Sequence, residues 1–192
     1  MNTTPQLAIL ALLLAALAAH AQPTVQWDRT LGGSNLDFLT SLQQTTDGGY
    51  ILGGRSASDA GFEKSQNSRG ELDYWVVKLD AAGNKQWDRT LGGSRSDELN
   101  ALQQTDDGGY ILGGSSASDA GFEKSQNSRG ADDYWVVKLD ASGNKQWGRT
   151  LGDRESDFLT SLQQTTDGGY ILGGRSASDA GFEKSQNSRG EL

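Results

Sequence analysis

The chain has 192 residues, 34% of them hydrophobic, with 25 acidic against 17 basic side chains and a formal net charge of −8 at pH 7. An acidic domain repels phosphate backbones and anionic membrane surfaces, which argues against a nucleic-acid partner. With no cysteine and one histidine, His20, the chain beyond that residue has no disulfides, no Ser-His-Asp or Cys-His catalysis and none of the usual zinc or copper sites.

The first element is a leader. Residues 7–19, LAILALLLAALAA, form an apolar run that ends on Ala19, His20 and Ala21, a small-x-small cleavage signal. The run is shorter than the roughly 20 apolar residues of a membrane-spanning helix. The sequence therefore predicts a signal peptide over 1–21, a mature chain over 22–192 that is secreted to the periplasm or beyond, and no membrane span after cleavage. All 26 glycines follow the leader, a composition suited to many tight turns rather than to long helices.

From Trp27 a 60-residue unit repeats, with Trp27, Trp87 and Trp147 heading copies 27–86, 87–146 and a partial 147–192. The first two copies differ at 10 of 60 positions, and segments 38–72 and 158–192 are identical. Apolar, turn and polar segments are copied alike. Identity between copies therefore records recent duplication and carries no functional information by itself.

Four segments of the unit read as strands. Residues 25–31, VQWDRTL, alternate apolar and polar positions. Segments 38–46 and 50–56 flank Asp47-Gly48-Gly49, a hairpin signal because glycine supplies the positive φ of a tight turn. Segment 73–80, DYWVVKLD, is aromatic and β-branched enough for a buried central strand. DAAGN at 80–84 then turns the chain into the next Trp strand. The prediction is an all-β fold, tandem four-stranded antiparallel blades of an incomplete β-propeller with about 2.75 repeats and eleven strands. Trp27 and Trp75 fall within strand patterns and are expected to pack between sheets.

The stretches W-D-R-T-L-G-G-S-x-x-D, T-x-D-G-G-Y-I-L-G-G-x-S and D-Y-W-V-V-K-L-D-x-x-G-N-K-Q-W resemble the sixty-residue β-propeller repeats of secreted Bacteroidetes-type proteins, often described as delta-60-like repeats. The resemblance covers 25–192. It implies a secreted propeller-type protein; some relatives carry endoglucanase-type labels, but no catalytic motif maps onto this chain. Thr45, Asp47 and Gly49 are also similar to a degenerate Asp-box of sialidase-type propellers, where the box stabilises a turn away from the active site.

Strand parity gathers the long connections, 57–72 and 32–37, on one face, and long ordered loops are where binding residues concentrate. The candidate ligand-binding residues there are Asp37, Asp59, Glu63, Lys64 and Arg69, with repeat equivalents Asp97, Asp119, Glu123, Lys124, Arg129, Asp157, Asp179, Glu183, Lys184 and Arg189. Asp59 and Glu63 lack the alternating ligands of an EF-hand, so no metal and no cofactor are expected. Phe62, Phe122 and Phe182 either pin their loops to the body or present rings to a sugar; a lone Phe in a polar loop favours the first. Near-identical repeats supply equivalent sets of carboxylates rather than one asymmetric catalytic centre. The expectation is a non-catalytic binding or scaffold module for a glycan or cell-surface polymer, with a glycoside hydrolase-like propeller enzyme, or a fragment of a larger secreted protein, as the alternatives. The third copy stops at Arg189–Leu192 where the first continues into DYWVVKLD, so self-association through unfinished blades is also expected.

Overall fold

The computed structural model describes residues 25–181 and 183–188. The leader, Phe182 and Arg189 lie outside the described residues. Among the described residues ten strands form three antiparallel sheets in tandem. Strands β1 (Asp37–Gln44), β2 (Tyr50–Ser56), β3 (Asp73–Leu79) and β4 (Lys85–Leu91) pair in chain order as blade one. Blade two repeats this with β5 (Asp97–Gln104), β6 (Tyr110–Ser116), β7 (Asp133–Leu139) and β8 (Lys145–Leu151), and the third blade contains β9 (Asp157–Gln164) and β10 (Tyr170–Ser176). The fold is the incomplete, propeller-like array of blades that the repeat implies.

The phase of the blade differs from the phase of the sequence repeat. Trp87 and Trp147 sit on β4 and β8, the last strands of blades one and two, whereas residues 25–31 form no strand. The expected eleventh strand is thus not formed. The reason is pairing. A Trp strand takes its hydrogen bonds from the DYWVVKL strand before it, across a turn clamped by Asp80, whose Oδ1 accepts from Ala82 N at 2.9 Å and Asn84 N at 2.8 Å. No DYWVVKL copy precedes Val25 in the sequence. Trp27 nonetheless packs as its counterparts do, edge-on against Tyr50 at 5.4 Å, as Trp87 packs on Tyr110 at 5.7 Å. Each Trp thus clasps the blade that follows it.

The core lies between blades. Ile51, Tyr74 and Val76 face Leu99, Leu102, Tyr110, Leu112 and Trp135 in one buried cluster. Tyr74 packs against Trp135 with ring centroids 4.8 Å apart and planes tilted by 46°, and donates its hydroxyl to the Trp135 carbonyl at 2.9 Å. The paired glycines of YILGG make this approach possible. A Cβ on Gly53 would lie 2.5 Å from the tips of both Leu99 and Leu102, so the first glycine is the slot that receives the next blade's leucines. A Cβ on Gly54 would lie 1.7 Å from Phe38 O, so the second lets the bulged β1 pair closely with β2.

Candidate functional site

Residues 57–72 contain no strand and one large apolar side chain besides Leu72, so polar groups hold them in shape. Asn67 Oδ1 accepts from Ala60 N at 2.9 Å, Ser68 Oγ donates to Ser58 O at 2.9 Å, and Asp73 Oδ2 accepts from Arg69 N at 2.6 Å. Asp88 on β4 accepts from Ser65 N at 2.9 Å and from the Trp75 indole at 3.1 Å. Three of these contacts recur around residues 117–132, Asn127 with Ala120, Ser128 with Ser118 and Asp133 with Arg129, whereas Gly148 stands where blade one has Asp88. The connector after β4 joins them, because Leu72 bridges Ser96 and Gly70 lies against the backbone of Gly93 and Arg95. The long loops and connectors therefore share one end of the blades, as strand parity indicated. The Asp47-Gly48-Gly49 turn lies close to Ala81 at the other.

Of the fifteen residues singled out from the sequence, Arg189 lies outside the described residues and the other fourteen fall into three groups. Asp97 and Asp157 are buried and Asp37 half-buried, and each clamps a turn: their Oδ2 atoms accept from Gly93, Asp153 and Gly33 N and from the hydroxyls of Ser118, Ser178 and Ser58. Lys64 and Lys124 are only 2% exposed. Their ammonium groups donate to Gln66 O and Ser128 Oγ respectively, while half-buried Lys184 bonds Ser188. Burial pulls the pKa of Lys64 down, and Asp73 and Asp37 nearby resist that fall. The second group ties blades together: Arg69 pairs with Glu123 at 2.9 Å and Arg129 with Glu183 at 3.3 Å, with Glu63 half-buried at the corresponding place on blade one. Asp59, Asp119 and Asp179 form the third group, which faces solvent.

Two buried carboxylate pairs were not legible in the sequence. A Cβ on Gly92 would stand 1.7 Å from Asp73 Oδ1 and 2.9 Å from Asp97 Oδ2, so the two acids converge there, and Asp133 and Asp157 converge likewise on Gly152. Desolvation lifts the Asp73 carboxyl to about 6, against the opposing bonds from Arg69 and Gly70 N. Burial also raises Asp97 and Asp133. At the opposite end Asp47 is held down at about 2, first by the Thr45 hydroxyl, then by Lys78 and Gly49 N. That geometry is a turn clamp. Among the described residues no group of three or more Asp, Glu, His or Cys is placed to hold a metal ion.

Phe62 and Phe122 overturn the expectation that they pin their loops. They are 84% and 70% exposed. Both have left-handed backbone, φ 51° and 50°, which strains a bulky L-residue. Each follows a glycine that also has positive φ, and each loop is closed by a two-way backbone pair, Gly61 with Lys64 and Gly121 with Lys124. The Arg69 guanidinium lies 5.8 Å from the Phe122 ring centre, bracketing it from the neighbouring blade. The Gly-Phe step was the only sequence signal for these projecting rings.

No family profile matches the chain. Over 160 residues it is 30% identical to the regulatory protein FlaEY of Caulobacter vibrioides, an alignment that covers 80% of this chain and 17% of that protein. The chain thus spans about a sixth of the length of that relative, 17%.

Proposed function

We propose that the chain is a secreted, non-catalytic binding module of the delta-60-like repeat type, which uses the loop end of its blades to hold an extended polymer, a glycan or a cell-surface chain. The observation that carries this reading is the pair Phe62 and Phe122. A solvated aromatic ring on a left-handed residue costs free energy twice, by exposure and by backbone strain, and the fold repeats it on successive blades. Rings presented once per blade suit a ligand that itself repeats, because several weak stacking contacts add through avidity. Exposed Asp59 and Asp119 nearby offer acceptors for hydroxyl groups.

A non-catalytic role is supported by the placement of the acids. The converging carboxylate pairs, Asp73 with Asp97 and Asp133 with Asp157, are at most 4% exposed. A substrate has no access to them. The likeness to FlaEY extends over 17% of that protein, which fits a module that occurs within larger chains.

A screen of polysaccharides, with the wild type and a Phe62→Ala/Phe122→Ala variant side by side, tests the proposal. Retention on at least one extended polymer by the wild type, lost in the variant at unchanged melting temperature, is the expected result. Equal retention of both proteins, or turnover of any glycan, contradicts it.

A further inference from the structure

The two outer faces of the array are complementary to each other. At the joint between blades one and two, Leu99 and Leu102 of β5 lie over Gly53 of β2 and are 0% and 8% exposed. At the next joint Leu159 and Leu162 of β9 lie over Gly113 of β6 in the same way. Side chains fasten each joint. Thr40 Oγ1 donates to Leu99 O at 2.6 Å and Asn100 Nδ2 to Leu159 O at 2.8 Å. Gln104 N donates to Gln43 Oε1, and Gln164 N to Gln103 Oε1, both at 2.7 Å.

Outside these joints the same groups are bare. On blade one, Leu39 and Leu42 are 57% and 65% exposed, beside a groove of about 360 Å³ that Leu52, Trp75 and Val77 line. On the third blade Ile171 is 61% exposed, whereas Ile51 and Ile111 at the two joints are fully buried. A Cβ on Gly173 would meet only Ser161 Oγ within 4 Å, so among the described residues nothing fills that slot.

Each half of this surface already has a partner elsewhere in the molecule. Strands β1 and β9 share the sequence DFLTSLQQ, and β9 is already seated on β6. Strands β2 and β10 share YILGGRS, and β2 already receives β5. We infer that the chain associates head to tail with a second copy of itself, β1 of one copy seating Leu39 and Leu42 over Gly173 of the other. The contact continues the blade-to-blade interface that the molecule makes twice internally. Thr160, which like Thr40 donates to the glycine carbonyl of its own hairpin, then donates across the joint to the Leu39 carbonyl. The joint is heterologous, built from two different patches, so it propagates or closes according to the rotation between copies. It involves the sheet faces and not the loop end, and it stands or falls independently of the polymer reading.

Sedimentation of the chain over a concentration series tests it. The wild type is expected to rise above the 20.5 kDa of one chain as concentration increases. Leu39→Asp/Leu42→Asp removes the projecting leucines and Ile171→Asp spoils the slot; all three positions are exposed, so both variants keep the wild-type melting profile. Each variant alone is expected to stay monomeric. Their equimolar mixture is expected to form a dimer and nothing larger, because one intact slot meets one intact pair of leucines. A wild type that is monomeric throughout overturns the inference. So does association that survives in either variant, as clustering of an apolar leader would, and so does a mixture that remains monomeric.

Discussion

Leu39, Leu99 and Leu159 occupy one position in three copies of the repeat, so replacing each by Ala makes the same chemical change in three settings. Leu99 and Leu159 are fully buried between blades, and Leu39 is 57% exposed. Truncating a fully buried leucine costs about 2–5 kcal/mol through lost transfer energy and the cavity left behind. Leu99 sits over Gly53, whose missing side chain leaves no group able to move into that cavity, which places the cost in the middle of the range, about 3 kcal/mol. For a chain of this length each kcal/mol lowers the melting temperature by roughly 2–4 °C, so Leu99→Ala and Leu159→Ala should each lower it by about 6–12 °C. Leu39→Ala should stay within about 0.5 kcal/mol, like other surface changes. Calorimetry at a dilution where the chain is monomeric is the assay. Equal losses at the three positions, or the largest loss at Leu39, would refute the view that blades are held through glycine slots.

Asp73→Asn is expected to stabilise the protein at neutral pH. The wild-type carboxyl is raised to about 6, so the folded state binds more protons than the unfolded state between about pH 4 and 6, and stability falls as pH rises through that window. A shift of about two units corresponds to roughly 3 kcal/mol; urea titrations at pH 4 and pH 7 should show the variant gaining up to about that much at pH 7 and little at pH 4, with Asp97 and Asp133 leaving a residual slope. A variant no more stable at pH 7 than the wild type removes the argument. Gly54→Ala places a Cβ 1.7 Å from Phe38 O and should cost more than about 3 kcal/mol, while Gly173→Ala, which meets only Ser161 Oγ, should cost under about 1 kcal/mol. Chemical denaturation of the two variants distinguishes them, and similar losses would count against the slot geometry.

Strand identities were legible because alternation and glycine turns are local signals. The stretch YILGGRS became β2 and β10, and its copy YILGGSS became β6, with the bounds their composition suggests. The phase of the blade was not legible from Trp27, Trp87 and Trp147, because a period has no origin. It is set by which neighbour a Trp strand bonds, and the short Asp80 turn binds it to the strand before. The meaning of the glycine pair was also hidden, since Gly53 meets Leu99 and Leu102 only across a joint between copies. Around the loops, polarity suggested exposure, yet Lys64 is buried as a donor and Asp97 as an acceptor for backbone that no strand satisfies. The exposed aromatic rings came from backbone dihedrals that a Gly-Phe step permits but does not announce.

The central claim is that the loop end binds a repeating ligand through one ring per blade. Its most direct test is the affinity of wild type, Phe62→Ala, Phe122→Ala and the double variant for a retained polymer and for a single repeating unit of that polymer. Each single change should weaken polymer binding about 3- to 10-fold, in line with a stacking contact of about 0.5–1.5 kcal/mol, the double change should abolish it, and the single unit should bind far more weakly than the polymer. Equal affinity for unit and polymer, or a double variant that binds as the wild type does, would contradict the account.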